Sequence, residues 1–293
     1  MKWKIAQQHD GMLLREYLQQ VQGLSRRILK AVIHDGGKIM VNKKVQSVRF
    51  RLTAGEEVQL TFPPEEVGAS LHPEPMQLDI IYEDDAVLLI NKPAGIVTIP
   101  SMNDTSGTIA NGVLAHYQKH SLPFTVHVVT RLDRDTSGIL LIAKHRYSHS
   151  LLAKSQKAGK VKRGYRAIVE GGLPIDGTIN APIGRKEGSI IERTVTETGK
   201  PAVTHYQVIQ QSEAFSFVDV RLETGRTHQI RVHFSHIGHP LAGDQLYGGT
   251  NRLISRQALH CCHIAFVHPF TKEVMEFHTN IPEDMNQLIK ETM

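Results

Sequence analysis

Two short segments concentrate the polar residues whose types and order could do chemistry. One, Thr130-Arg131-Leu132-Asp133-Arg134-Asp135-Thr136-Ser137-Gly138, stands immediately before the apolar run Ile139 to Ala143. The other, Leu222-Glu223-Thr224-Gly225-Arg226-Thr227-His228-Gln229-Ile230-Arg231-Val232-His233, leads from a strand end through a glycine turn toward a helix. Both set charged groups beside elements that must be buried, and an ion pair between the two segments would offset that cost. On spacing alone, however, a plain polar turn in which Asp135 or Thr136 caps the backbone accounts better for the first segment. The patterns of several common chemistries are missing: no G-x-x-x-x-G-K-[ST] phosphate loop, no G-x-G-x-x-G after a strand, no G-x-S-x-G elbow and no H-E-x-x-H. Of the 17 histidines, His233, His236 and His239 are spaced to suggest a metal, but the third lies beyond Gly238 and no carboxylate or cysteine completes a set, so no metal site is expected.

The elements that must position these segments can be read from apolar spacing. Asp79-Ile80-Ile81-Tyr82 and Ala86 to Ile90 flank Glu83-Asp84-Asp85 as a hairpin. Helices are expected over Thr108 to Lys119, His145 to Gln156 and His228 to Ile237, and strands over Ile139 to Ala143, Tyr165 to Val169, Val203 to Ile209 and Phe215 to Leu222. Strands outnumber helices without strict alternation, which argues for an α+β fold with a mostly antiparallel sheet. Further upstream, Leu14, Tyr17, Leu18 and Val21 mark one face of a helix. A second helix starts at the N-cap Ser25, carries Ile28, Leu29, Val32 and Ile33, and ends at Gly36-Gly37. Four prolines between Pro63 and Met76 make residues 63–76 a linker between an N-terminal module, 1–62, and a larger domain, 77–293.

The chain has 293 residues with a formal charge of +5, and that charge is unevenly spread. Residues 1–62 hold eleven Lys and Arg against five Asp and Glu, so the remainder is nearly neutral. Arg26, Arg27 and Lys30 lie off the apolar stripe of the second helix, which leaves two readings open, a solvated face or a phosphate-contacting surface. The segregation of charge favours the second. No apolar run is long enough for a membrane span, the first residues leave no room for a signal-peptide core, and the adjacent Cys261 and Cys262 cannot build a disulfide framework. A cytoplasmic protein is expected.

The N-terminal segment resembles the S4 RNA-binding domain, with two short helices, Ser25-Arg26-Arg27 opening the second, then Gly36-Gly37-Lys38-Ile39-Met40-Val41-Asn42. The rest resembles the RluA-type pseudouridine synthases, which convert uridine to pseudouridine in RNA. Their signature, H-R-L-D-x-x-[TS]-[SG]-G, is matched from Arg131 to Gly138, with Thr130 where many members have His. Asn91-Lys92-Pro93-Ala94-Gly95 fits the first family motif and Gly225 to His233 the third, and Gly238-His239-Pro240-Leu241, Gly243-Asp244, Tyr247-Gly248, Leu259-His260, His268-Pro269 and Ile281-Pro282 follow in the family's order.

This resemblance implies a pseudouridine synthase fold with a central cleft, large-subunit ribosomal RNA as the main substrate class, and a reaction that needs neither cofactor nor metal. It implies that Asp133 is the nucleophile, which a nearby cation would keep ionised. Arg231 occupies the position that pairs with the catalytic aspartate, and Asp135 one that tolerates many residue types. Tyr165 corresponds to the ring that stacks on the flipped base, and Arg131 to the residue that intrudes into the RNA stack. Ile230 is either an apolar wall of the pocket or plain core. Arg226, Thr136 and Lys92, from the same motifs, are assigned to RNA binding along with Arg26, Arg27 and Lys30. The same reaction on transfer RNA and a non-catalytic ribosome-assembly factor are the alternatives, and no protein partner can be read.

Overall fold

Alternation along Lys38-Ile39-Met40-Val41 puts Ile39 and Val41 on one face, and both are buried in an N-terminal antiparallel sheet. The computed structural model describes residues 1–101 and 105–293. Strands β1 (Lys2–Lys4), β2 (Lys38–Val41), β3 (Lys44–Val45) and β4 (Glu57–Thr61) pair in the order β1-β4-β2-β3. The tight β2–β3 turn uses Asn42 and Lys43, both with positive φ, as a two-residue hairpin requires. Helix α1 (Leu14–Glu16) and helix α2 (Arg26–His34) cover the sheet. Ser25 Oγ accepts from Ile28 N at 3.2 Å, closing the N-terminus of α2 as expected of an N-cap.

Two details here differ from the periodic reading. After Leu14–Glu16 the chain widens into a π-helical turn over Tyr17–Val21, so Leu14, Tyr17 and Leu18 are buried while Val21 turns outward. The cause is local: Gln22 N donates to Tyr17 O, and Gly23 then takes a positive φ that breaks the helix. In α2 the buried stripe is Ile28, Leu29, Ala31 and Val32, and Ile33 is exposed.

Residues 63–76 contain no helix or strand, yet they are tied down. Glu65 meets His127 Nε2 at 2.5 Å and accepts from Arg146 N at 2.7 Å, and Asn111 Nδ2 donates to His72 O at 2.7 Å.

The larger sheet holds β5 (Ile80–Glu83), β6 (Val87–Lys92), β7 (His127–Val128), β8 (Ser137–Ala143), β9 (Lys162–Glu170) and β10 (Asp176–Asn180). After the small separate hairpin of β11 (Ile183–Arg185) and β12 (Arg193–Val195), it continues with β13 (Val203–Gln211), β14 (Phe215–Leu222), β15 (Leu259–Val267) and β16 (Val274–His278). The order is β10-β13-β14-β9-β15-β8-β6-β5, with β7 added to β8 and β16 to β15. Among the described residues β8 and β15 make the one parallel pair, so the sheet is mixed and mostly antiparallel, in an α+β fold.

Every residue of β8 is buried, which explains its unbroken apolar sequence. Helix α3 (Ile109–Lys119) contributes Ile109, Val113 and Tyr117 to the core, and helix α4 (Arg146–Lys157) contributes Leu152. Tyr147 of α4 instead joins the N-terminal core, donating to Gln22 O at 2.5 Å. Helix α5 (Gln229–His236) follows β14, and helix α6 (Glu283–Thr292) ends the chain.

Candidate active site

The segment before β8 and the segment before α5 face each other across a cleft of about 760 Å³, whose walls also include residues 97–101 and the first half of β9. The pairing of β8 with β15 fixes the first segment in place. Gly138 lies opposite Cys261 with φ of 113°, and a Cβ on it would stand 2.2 Å from Cys261 O, so only glycine fits. Thr130, at the other end of the turn, is buried and accepts from Leu141 N through Oγ1 at 3.0 Å. It fastens the loop to β8, a service to the backbone rather than to a ligand.

Between these anchors Asp133 projects into the cleft with its side chain 27% exposed. Arg231 NH1 donates to its Oδ2 at 3.2 Å. The expected ion pair is therefore present, but it is the weaker of two contacts made by Arg231. Asp244 grips the other edge of the guanidinium from two sides, accepting from Nε at 2.7 Å and from NH2 at 2.8 Å. The Tyr247 ring lies 4.9 Å beneath the same group. Burial opposes the charge on Arg231, but the carboxylates of Asp244 and Asp133 outweigh it and raise the pKa, so the group is a permanent cation.

His228 completes the cluster from the other side. It has φ of 56°, a left-handed conformation uncommon for a residue with a side chain. Its Nε2 is 3.9 Å from Asp133 Oδ1 and its Nδ1 is 2.7 Å from Tyr247 Oη. Tyr247 Oη already accepts from Arg193 N at 2.9 Å, so its own hydrogen is available for His228 Nδ1. That assignment leaves the imidazole proton on Nε2, directed toward Asp133. Burial lowers the pKa of His228, although the Asp133 charge opposes it.

The wall opposite is Tyr165 of β9, which is buried, with its phenol pKa raised by burial. Arg163 NH1 donates to Tyr165 Oη at 3.3 Å. Gly225 makes this possible, because a Cβ there would fall 2.6 Å from Arg163 NH2.

The other residues singled out from the sequence divide into two groups. Arg131, Thr136, Arg226 and Ile230 line the cleft. Arg131 is exposed with no hydrogen bond or ion pair among the described residues. Arg226 Nε donates to Pro201 O at 3.0 Å, while Thr136 and Ile230 are largely buried.

Lys92 must be corrected. It is fully buried, and its Nζ donates at 2.8 Å to each of Pro93 O, Ile96 O and Arg134 O, which uses all three of its donors and leaves none for RNA. Burial pushes its pKa down to about 7, against the pull of Asp135 and Asp133. Lys92 ties the first motif to the loop that carries Asp133. Asp135 does not line the cleft, and its carbonyl accepts from Arg256 NH1 at 3.1 Å. Arg26, Arg27 and Lys30 are exposed on α2, outside the cleft.

Asp244, Tyr247 and His228 were not among the candidates from sequence. The first two stand in the Gly243-Asp244 and Tyr247-Gly248 pairs, where a carboxylate and a phenol beside glycines were the available signal. His233 is buried and held between Thr204 Oγ1 and Ala181 O, His239 Nδ1 contacts Glu170 O, and His236 is exposed.

The profile of the RNA pseudouridylate synthase family matches residues 86–236, from just before β6 to the end of α5. The chain belongs to this family. It is 51% identical over 280 residues to the uncharacterized RNA pseudouridine synthase YjbO of Bacillus subtilis (strain 168), covering 95% of this chain and 99% of that protein. It is 40% identical over 266 residues to ribosomal large subunit pseudouridine synthase D of Neisseria meningitidis serogroup A, covering 86% of this chain and 71% of that protein. Among solved structures, human RNA pseudouridylate synthase domain containing 1 shares the fold, with a TM-score of 0.59 at 23% identity over 78% of this chain and 97% of that one. The protein is thus an isomerase that acts on uridine in RNA. Among the described residues no helix is long and apolar enough to cross a membrane.

Proposed function

We propose that this synthase modifies uridines of large-subunit ribosomal RNA in the cytoplasm, with Asp133 as its nucleophile. The observation that carries the assignment is the position of Asp133 in the cleft, one oxygen on Arg231 NH1 and the other facing His228 Nε2. Isomerisation breaks the C1′–N1 bond of uridine, turns the uracil in place and rejoins it through C5. The C5 proton is lost and N1 gains one, so atoms balance without a co-reactant. A carboxylate supports this by attacking the sugar and leaving again. Arg231 positions Asp133 through its NH1 contact, and Asp244 holds Arg231.

The target uridine must leave its stack, at a cost of a few kcal/mol. Tyr165 and Ile230 offer a ring and an apolar wall for the flipped base, and Arg131 is free to enter the gap left in the RNA. Residues 1–62 act as an S4-like gripping module through Arg26, Arg27 and Lys30. The ribosomal substrate is favoured by the large-subunit synthase of Neisseria meningitidis.

Asp133→Asn is expected to bind RNA like the wild type and to form no pseudouridine; turnover above background would overturn the assignment. Mapping the pseudouridines lost on gene deletion tests the substrate. Loss confined to transfer RNA would replace the ribosomal reading.

A further inference from the structure

The β15–β16 hairpin carries a second cluster of chemical groups. Its register sets His263 directly opposite His278 and Glu276 opposite Ala265, two residues further on, so His263, His278 and Glu276 share one face. His263 Nε2 lies 2.8 Å from Glu276 Oε1, and His278 Nε2 lies 3.5 Å from the same oxygen. The three donor atoms are all within 4.8 Å of one another. The imidazole rings stack with centroids 4.6 Å apart. On the other side of His263, β9 presents Gly164, where a Cβ would lie 3.1 Å from His263 Cβ, so the missing side chain leaves the ring its room.

Two imidazoles and one carboxylate, with a water in the remaining position, are a recurring donor set for zinc. Metal–ligand bonds near 2.0–2.1 Å in a tetrahedral array separate neighbouring donors by about 3.3 Å. The two distances to Glu276 Oε1 bracket that value, and side-chain rotation brings the imidazoles into place while the strand pairing holds the backbone. With neutral imidazoles the trio carries one negative charge, which favours a divalent cation. The exposure of Glu276 and His278 gives an ion direct access.

We propose that His263, Glu276 and His278 form a binding site for a divalent transition metal of the zinc class. Neighbouring residues of a strand point to opposite faces, so this site backs onto the strand that presents Tyr165 to the cleft without entering the cleft. A bound ion would clamp β16 to β15 and take no part in the isomerisation.

Calorimetric titration of chelator-stripped full-length protein with zinc chloride tests the proposal, with cobalt(II) absorption as a second readout. One ion per chain is expected, with the visible bands of tetrahedral cobalt. Even outer-shell changes weaken metal sites about 10–100-fold, so His263→Ala, His278→Ala and Glu276→Gln should each lower affinity by about tenfold or more. Cys262→Ser, a control for thiol binding, should leave it unchanged. Absence of stoichiometric binding by the wild type, or equal affinity in the His263→Ala/His278→Ala double variant, would overturn the site. All these side chains except Cys262 are at the surface of the hairpin, so the variants are expected to fold.

Discussion

Arg231 has one guanidinium and two carboxylates that claim it, and the two-point grip belongs to Asp244. The side chain of Asp244 is 1% exposed, so its charge is tolerable only because of that pairing. The grip fixes the guanidinium plane and leaves NH1 as the edge offered to Asp133. Removing one partner of a buried pair typically costs about 3–5 kcal/mol. Asp244→Asn is therefore expected to lose about 3 kcal/mol of stability in urea unfolding and to lower kcat with RNA affinity largely kept. An unchanged kcat would mean that Arg231 needs no such support. Arg231→Lys should also fail to restore turnover, since an ammonium cannot meet both carboxylates in the same fork geometry. The Asp133–Arg231 pair was legible because both residues stand in recognisable motifs. Asp244, thirteen residues beyond Arg231, was not, since no spacing rule says which acid will fold back onto which base.

At the scale of elements, strand pairing dictates the shape of the loop that carries Asp133. The Gly138 position has both a positive φ and a carbonyl where a side chain would begin. Strain of this kind costs about 1–3 kcal/mol before any clash is counted. Gly138→Ala should thus lose at least about 3 kcal/mol of stability, read as a lower urea midpoint, and turnover should fall with it as the loop shifts. Unaltered stability would show that β8 and β15 can separate at this point at little cost. The strand Ile139 to Ala143 was readable because burial on both faces demands an unbroken apolar run. The first helix was misread in part, since apolar spacing reports which residues share a face and does not register a widened turn such as Tyr17–Val21.

For the molecule as a whole, the proposed role of the N-terminal module has RNA span the basic surface of residues 1–62 and the cleft. If the N-terminal module meets about five phosphates of a structured RNA, the log-log salt slope of binding is about −3 to −4. Replacing Arg26, Arg27 and Lys30 by Ala should flatten that slope by about 2 while leaving turnover at saturating RNA unchanged; an unaltered slope would mean that α2 faces solvent only. The two parts of the protein meet at the N-cap of α4, where His145 stacks with Phe62 and with Phe270. Burial lowers the pKa of His145 to about 4, and it does the same to His260, which links Ser137 to Thr279. Between about pH 6.5 and 4 the unfolded chain therefore takes up a proton at each histidine that the folded protein refuses. Stability falls as the pH drops through this window, by up to about 3 kcal/mol for each group. Urea midpoints measured from pH 7 to 4 should decline less steeply for His260→Gln than for the wild type.

Motif order, hydrophobic period and charge segregation are properties of neighbouring residues, which is why the reaction, the α+β class and the basic N-terminal end could be read from the chain alone. Which groups share a charge depends on contacts between residues far apart in sequence. Folding joined Asp133 to Arg231 across 98 positions, gave the stronger hold on Arg231 to Asp244, and drew Lys92 away from RNA into three carbonyls. Each outcome follows from one physical constraint, that a buried charge must find its partners wherever the packed strands and helices happen to place them.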